Sequence, residues 1–178
     1  PLYSSAASDV YKRQLYNYTD VINNNEHLDN DSWHLGLPDS IISDIKNSIA
    51  KPGELPYFQL TPIRKPTLKT KFNQLRDSGV VMMIGTDSGI PMKFHSQSTW
   101  NELEVWVNVF DVEPLDAIKS ATYWPSFFMG VSDTVGTISV GKQADIIAVK
   151  GNVLKHISTL QNIDIVMKKG KIYKNTKS

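Results

Sequence analysis

A short polar segment that follows an apolar run is the part of this sequence best suited to catalysis. The segment, residues 85–89, reads Gly-Thr-Asp-Ser-Gly and comes directly after the apolar residues 80–84. Its carboxylate, Asp87, could bind a metal ion or accept a proton from water. The glycines allow the backbone to turn sharply beside it. We therefore take residues 85–89 as a candidate active-site turn, with Asp87 as its reactive group.

Two other interpretations of the same residues are considered. Asp-Ser-Gly is also an ordinary turn composition, so the five residues alone do not distinguish a site from a turn. Asp-Ser-Gly is similar to the nucleophile segment of trypsin-like proteases as well. There, however, a Gly pair follows the Ser, whereas Ile90 follows Gly89 here, and the flanking sequence favours helices over a β-barrel. The sequence around these five residues is therefore needed to distinguish an active-site turn from an ordinary turn.

The elements around the turn predict an α/β body. Residues 80–84 are continuously apolar and have glycine on both sides, which is typical of a strand buried on both faces. Functional side chains in such folds lie at the carboxyl ends of strands. A helix before the strand is predicted to bury Leu68, Phe72 and Leu75.

Two helices are predicted after the turn. Thr99 and Glu102 have the spacing of a capping box at the start of the first. Its buried face is predicted to comprise Trp100, Leu103, Val107 and Phe110. Pro114 fits the first turn of the second helix. Its inward positions are expected to be Leu115, Ile118 and Thr122.

The two ends of the chain differ in character. Residues 15–66 are expected to be a long loop interrupted by one short helix, whose apolar spacing is set by Ile41, Ile42, Ile45 and Ile49. Within it, residues 51–66 contain four prolines and favour an extended loop. After Gly130 the pattern predicts short strands at residues 135–140, 144–149, 163–167 and 172–173. The order indicates an α/β body followed by a small β appendage.

Composition excludes several classes of function. The chain has 178 residues, a net charge of +1 and no Cys. Without a basic patch, nucleic acid is not expected as a partner. Without Cys, disulfides, thiol catalysis and Cys-ligated zinc are excluded. No apolar run approaches the roughly 18 residues of a membrane helix, so no membrane segment is expected.

Residues 1–14 are expected to be foreign to the protein. Residues 4–14 can be back-translated, codon by codon, into a string that resembles a transposase-type sequencing adapter. On this interpretation Leu15 marks where a sequencing read began. We therefore leave residues 1–14 out of the fold prediction and expect the chain to be a C-terminal fragment.

An ordered series of motifs resembles the C-terminal third of the amidohydrolase superfamily, nearest to its imidazolonepropionase-like and Xaa-Pro dipeptidase-like branch. The resemblance is strong from about residue 66 to 173. Its motifs are residues 85–89, 101–104, 113–118, 121–122, 135–138, 140–147, 151–154 and 166–173. It implies the end of a (β/α)8 barrel over residues 15–130 and part of a small β-sandwich over residues 131–178.

The resemblance also implies a chemistry. In the family one or two divalent metals, usually zinc, lie in the barrel mouth. Asp87 matches the Asp that ends the eighth strand, holds the attacking water and passes its proton to the leaving nitrogen, and it is also a possible metal ligand. The substrate implied is a small molecule with a C–N bond, in a cyclic amide or a dipeptide. The remaining metal ligands, a His-x-His pair among them, are absent from the sequence.

These implications leave alternatives open. The chain by itself is expected to be aggregation-prone and inactive, whereas its full-length parent is expected to be the enzyme. A non-catalytic barrel relative that acts in binding or assembly is the alternative. A homo-oligomer is possible, and both a cytoplasmic and an exported location remain open.

Other polar residues have weaker indications. Ser88 and His95 are candidates for substrate binding, and His95 could equally lie on a plain surface. Pocket-lining roles from the long loop are considered for Tyr57, Phe58 and Arg64. The other histidines are expected to be solvated or structural: His27, His34 and His156. A metal role is also considered for His27 and His34, but solvated loop positions are favoured. Asp145 is expected to order the turn before its strand. A solvated hairpin edge is predicted for Lys168, Lys169, Lys171 and Lys174.

Overall fold

The computed structural model describes residues 33–51, 56–88 and 94–176, without the side chains of residues 49 and 56–58. Within these ranges the helices are α1 (Asp39–Ala50), α2 (Pro56–Asp77), α3 (Ser98–Asn108), α4 (Pro114–Ala121) and α5 (Tyr123–Phe128). They are followed by β1 (Ile146–Val149), a 3-10 helix (Ile157–Gln161), β2 (Ile163–Lys168) and β3 (Lys171–Asn175). Both helices and strands are present, as the predicted α/β body with a β appendage requires.

None of the helices in the described ranges has the length and apolarity needed to cross a membrane.

Three aromatic side chains form the centre of the core. Phe72 of α2 is fully buried, stacks on Phe110 at 4.5 Å between ring centroids, and meets Trp106 of α3 edge-on at 4.9 Å. Offset and edge-to-face pairs of this kind each add about 0.5–1.5 kcal/mol to the burial of the rings. The rest of the buried cluster is Leu68, Leu103, Val105, Val112, Ala117 and Ile157. The core therefore joins α2, α3, α4 and the 3-10 helix.

The prediction of an extended loop over residues 51–66 is wrong from Pro56 onward. Residues 56–77 form one helix that contains Pro62 and Pro66. Each interior proline removes a main-chain hydrogen bond and costs about 3 kcal/mol or more. The burial of Leu68 and Phe72 on the same helix offsets this cost. The other predicted helix of this region, α1, is confirmed, although Ile41 on its apolar side is 44% exposed.

The predicted strand at residues 80–84 is not formed among the described residues. Val81 makes one isolated bridge, and all five side chains are half-buried instead of buried on both faces. A strand needs a neighbour to pair with, and the described part of the chain provides none along this run. The run is still attached to the core, because Met82 and Ile84 pack against the buried cluster.

Two details of the helices after the turn differ from the prediction. Helix α3 begins at Ser98 with no side-chain cap, so Thr99 lies inside it and the Thr99–Glu102 capping box is wrong. Its predicted buried stripe is confirmed at Trp100, Leu103 and Phe110, with Val107 partly buried. Helix α4 does begin at Pro114, but its buried side chains are Ala117 and Ser120. Leu115, 50% exposed, and the exposed Thr122 were wrongly placed inward, whereas Ile118 packs against the core.

The C-terminal strands form a three-stranded antiparallel sheet in the order β1-β2-β3. The strand predicted at residues 135–140 does not form, whereas the three later strands are confirmed. The β2–β3 turn consists of Lys169 and Gly170, both with positive φ (49° and 77°), as tight hairpin turns require. The carboxylate of Asp145 organises this turn, because its Oδ1 accepts the Lys169 backbone N–H at 2.7 Å. In the turn before β1, the Asp145 backbone N–H donates to the Gln143 carbonyl at 2.9 Å.

Candidate active site

The turn at residues 85–88 is attached to two helices. The backbone N–H of Ile84 donates to the carbonyl of Ser120 in α4 at 3.3 Å. The backbone N–H of Gly85 donates to Oε1 of Glu102 in α3 at 3.2 Å. Inside the turn, the hydroxyl of Ser88 donates to the hydroxyl of Thr86 at 3.0 Å. Within the described residues, the turn is therefore attached to α3 and α4.

Asp87 lies at the exposed point of this turn. Its φ is +45°, in the left-handed region that Asp tolerates better than most residues other than Gly. Its side chain is solvent-exposed, while Thr86 and Ser88 on either side are half-buried. Such a carboxylate can accept a proton from water or offer an oxygen to a cation. The two candidate site residues Asp87 and Ser88 thus lie in one turn.

His95, the other predicted substrate-binding residue, is exposed and follows a buried aromatic residue. That residue, Phe94, is 3% exposed and packs edge-on against Trp33 at 5.5 Å. The ring of His34 lies 5.8 Å from the Phe94 ring. The structure therefore joins residues 33–34 to residues 94–96, a contact that Ser96 extends by donating to the Trp33 carbonyl at 3.1 Å.

The structure describes only some of the other residues considered in the sequence. Arg64 is exposed on α2. His156 is exposed and precedes the 3-10 helix, where its carbonyl accepts the Thr159 N–H at 3.0 Å. His27 and the side chains of Tyr57 and Phe58 lie outside the described part of the structure.

The described residues fit a divalent metal only in part. A carboxylate oxygen of Asp87 is a suitable single ligand for zinc or another divalent ion. Within residues 33–51, 56–88 and 94–176, however, no three His, Asp or Glu residues are grouped so that they could hold a metal. These residues alone therefore do not compose a metal site.

Two features of this region were not predicted from the sequence. Glu102 was assigned to a capping box, yet it is 3% exposed and binds the turn instead. The burial of Glu102 could have been predicted from its spacing to Trp106, because residues four apart in a helix lie on the same face. A cavity of about 520 Å³ was also not foreseen. It is lined by residues 80–82 and by Arg76, Trp106, Asp111, Val112, Glu113, Asp116, Ser120 and Trp124, and so borders the start of the apolar run, not Asp87.

Comparisons with known proteins cover most of the chain. The profile of the Amidohydrolase family, whose members are generally metal-dependent, matches residues 14–173. An imidazolonepropionase from Rhizobium rhizogenes is 32% identical over 90 residues, which are 51% of this chain and 21% of that protein. The chain thus spans about a fifth of the length of this curated relative.

Solved structures give the same picture. A Xaa-Pro dipeptidase with methionine bound in its active site is 33% identical, with a TM-score of 0.59, over 66% of this chain and 28% of the other. An ochratoxinase from A. niger is 26% identical, with a TM-score of 0.57, over 75% of this chain and 31% of the other. The family match covers far more than half of the sequence, and the mixed helix and strand order fits these structures. The chain belongs to the amidohydrolase family and has the α/β fold of its relatives.

Proposed function

We propose that the enzyme containing this chain hydrolyses a C–N bond in a cyclic amide or a dipeptide, with Asp87 as its proton shuttle. Family membership supports hydrolysis of C–N bonds by the whole enzyme. The substrate class is inferred from relatives named imidazolonepropionase and Xaa-Pro dipeptidase. The observation that carries the proposal is the exposed, left-handed Asp87, presented by a turn that two helices hold.

The proposed role of Asp87 is a balanced proton transfer. Its carboxylate takes a proton from the water whose oxygen bonds to the substrate carbonyl carbon. The same proton then passes to the nitrogen as the C–N bond breaks, so Asp87 ends the cycle ionised. Proton transfer by a positioned side chain contributes about 10²–10⁴-fold to a rate. An exposed carboxylate suits both steps, because water and the leaving nitrogen must each reach it.

A divalent metal, zinc by preference, is part of the same proposal. When bound, it would polarise the attacking water and lower the pKa of that water. Asp87 would be one of its ligands, and the others would come from outside the described residues. For this reason we expect the 178-residue chain alone to show no hydrolysis. We further propose that the fold context is the end of a (β/α)8 barrel with part of a β-sandwich.

The test begins with a complete reading frame that contains this sequence, recovered by amplifying the source DNA outward from it. The complete enzyme is then assayed on cyclic amides and Xaa-Pro dipeptides, as wild type and as Asp87→Asn. The variant keeps the size of the side chain and the tolerance for positive φ, but it cannot accept the proton. We expect its kcat to fall by about 10²–10⁴-fold.

Asp111→Asn is a matched control. Asp111 is also an exposed Asp with positive φ, 56° against 45° for Asp87, but its carboxylate bridges Lys69 on the surface. This control should keep wild-type kcat. Equal activity of wild type and Asp87→Asn would refute the shuttle. Absence of any hydrolysis by the wild-type enzyme would instead favour a non-catalytic relative that acts in binding or assembly.

A further inference from the structure

Glu102 is a charged side chain in an unusual place. It lies in the middle of α3, is 3% exposed, and has the buried Trp106 one helical turn further on. Taking a carboxylate out of water is expensive unless hydrogen bonds replace the water. An apolar residue at this position of α3 would complete the core without that expense. The burial of Glu102 therefore calls for a role beyond packing.

One contact of Glu102 is with the candidate active-site turn. Its Oε1 accepts the backbone N–H of Gly85 at 3.2 Å across 17 residues of sequence. Gly85 precedes Asp87 by two residues, so their Cα atoms are within about 7 Å of each other. Hydrogen bonds with an ionised acceptor are roughly twice as strong as neutral ones. Glu102 thus fixes the backbone just before the reactive carboxylate.

The conformation of Asp87 makes this support relevant. A residue other than Gly with φ of +45° is held against an intrinsic preference and persists only where its surroundings determine it. The second attachment is the hydrogen bond from the Ile84 N–H to the Ser120 carbonyl. These two bonds act on adjacent residues at one end of the turn. A shift of about 1 Å in a reacting group can change a rate by about 10²-fold.

We propose that Glu102 is a positioning residue, whose buried carboxylate fixes the Gly85 backbone so that the turn presents Asp87 to substrate. This inference rests on the proposed function of Asp87. Glu102 itself does not touch the reacting atoms. Its effect is on geometry, and it should be visible at the Gly85 amide before any activity is measured.

The first experiment measures this amide by NMR in the complete enzyme. Glu102→Leu removes the carboxylate acceptor and fills its place in the core with an apolar side chain of similar size. We expect hydrogen exchange of the Gly85 amide to accelerate roughly 10-fold or more, as loss of a bond to a charged acceptor implies. The Val109 amide, which bonds to the Val105 carbonyl at the end of α3, reports overall stability and should stay unchanged. Equal acceleration at Val109, or none at Gly85, would overturn the proposal.

A second variant covers the case in which Glu102→Leu does not fold. Glu102→Gln retains an oxygen acceptor but makes it neutral, so the Gly85 amide proton should move upfield. Glu104→Gln, two positions along the same helix and half-buried, is the matched control and should leave that proton unmoved. An unmoved Gly85 proton in Glu102→Gln would contradict a bond to the carboxylate.

Kinetics of the complete enzyme then separate this inference from the proposed function. We expect Glu102→Leu to lower kcat by about 10²-fold with little change in KM, and Glu102→Gln to recover most of the loss. A changed KM with unchanged kcat would overturn positioning. If Asp87→Asn is fully active while the Gly85 amide responds as described, the proposed function fails and only the structural contact stands.

Discussion

Replacing Gly136 by Ala provides a strict test of how the chain packs after α5. A Cβ added at Gly136 would lie 2.0 Å from Oγ and 2.6 Å from Cβ of Ser126, and 3.2 Å from the Thr122 carbonyl oxygen. Ordinary contacts between carbon atoms are about 3.5–4.0 Å. The Ser126 hydroxyl can rotate away only by giving up its bond to the Tyr123 carbonyl at 2.7 Å. The Cβ of Ser126 can move only if the backbone of α5 moves with it.

The magnitude follows from a comparison with Gly141. Both glycines have positive φ, 94° and 87°, but nothing lies within 4 Å of a Cβ at Gly141. Both substitutions carry the left-handed penalty, about 1–2 kcal/mol. Only Gly136→Ala adds overpacking, about 1–3 kcal/mol, and a lost hydrogen bond, about 1 kcal/mol. Gly136→Ala should therefore lower the free energy of unfolding by about 2–4 kcal/mol more than Gly141→Ala.

The assay is urea unfolding followed by tryptophan fluorescence. With a slope of about 2 kcal/mol/M, the midpoint of Gly136→Ala should lie roughly 1–2 M below that of Gly141→Ala. Adding Ser126→Gly removes the two closest atoms and should recover part of the difference, which a double-mutant cycle measures as coupling. Equal midpoints for the two single variants, or a cycle without coupling, would refute the packing of residue 136 on α5.

Two further predictions concern the hairpin and the core. The pKa of the Asp145 carboxyl is held below its ordinary value, mainly by the hydrogen bond from the Lys169 backbone N–H, with Lys168 contributing. The charged carboxylate therefore stabilises the turn at pH values above the pKa of the unfolded state, and this stabilisation is lost as pH falls through the pKa of the folded state. The chemical shift of the Lys169 amide proton should titrate with a midpoint below 3.8. The variant Asp145→Asn should abolish that titration. In the same urea unfolding, Phe72→Ala should lower the free energy of unfolding by about 3–5 kcal/mol. Phe127→Ala should lower it clearly less, because the Phe127 side chain is 47% exposed. Equal losses for the two variants would contradict a core centred on Phe72.

The sequence predicted best those elements whose signals are local. Strands β1 to β3 follow from short apolar runs between turn residues, and Lys169-Gly170 has the chemistry of a hairpin turn. Pro114 marked the start of α4 because its missing N–H does no harm there. The family assignment also came from local motifs in a fixed order, and the profile match confirms it.

These errors arise because contacts between residues distant in sequence, present or missing, decide the structure at these positions. Pro62 and Pro66 argue against a helix, but burial of Phe72 further along α2 stabilises it. Residues 80–84 have a strand pattern, but pairing depends on neighbours that the described residues do not supply. Thr99 and Glu102 have the spacing of a capping box, but the Glu102 carboxylate is buried and accepts a hydrogen bond from the Gly85 backbone N–H instead. None of these contacts can be read from a local window of sequence.

The candidate site was predictable only in part for the same reason. Asp87 was identified from its position after an apolar run and from a family motif. The attachments of its turn, to Glu102 and to the Ser120 carbonyl, join residues distant in sequence that no local pattern relates. His95 was identified by proximity in sequence, and its role in substrate binding remains a prediction.

A comparison of Asp87 with Asp111 shows why backbone strain alone would not identify the site. Both have positive φ and both are exposed. Asp111 is supported by a surface ion pair with Lys69, of a kind that contributes little and needs no desolvation. The turn of Asp87 is supported by a buried carboxylate, and replacing buried charges by apolar residues is often neutral or stabilising. Stability therefore does not explain why position 102 holds a carboxylate. The hydrogen bond of that carboxylate to Gly85, two residues before Asp87, gives a specific explanation.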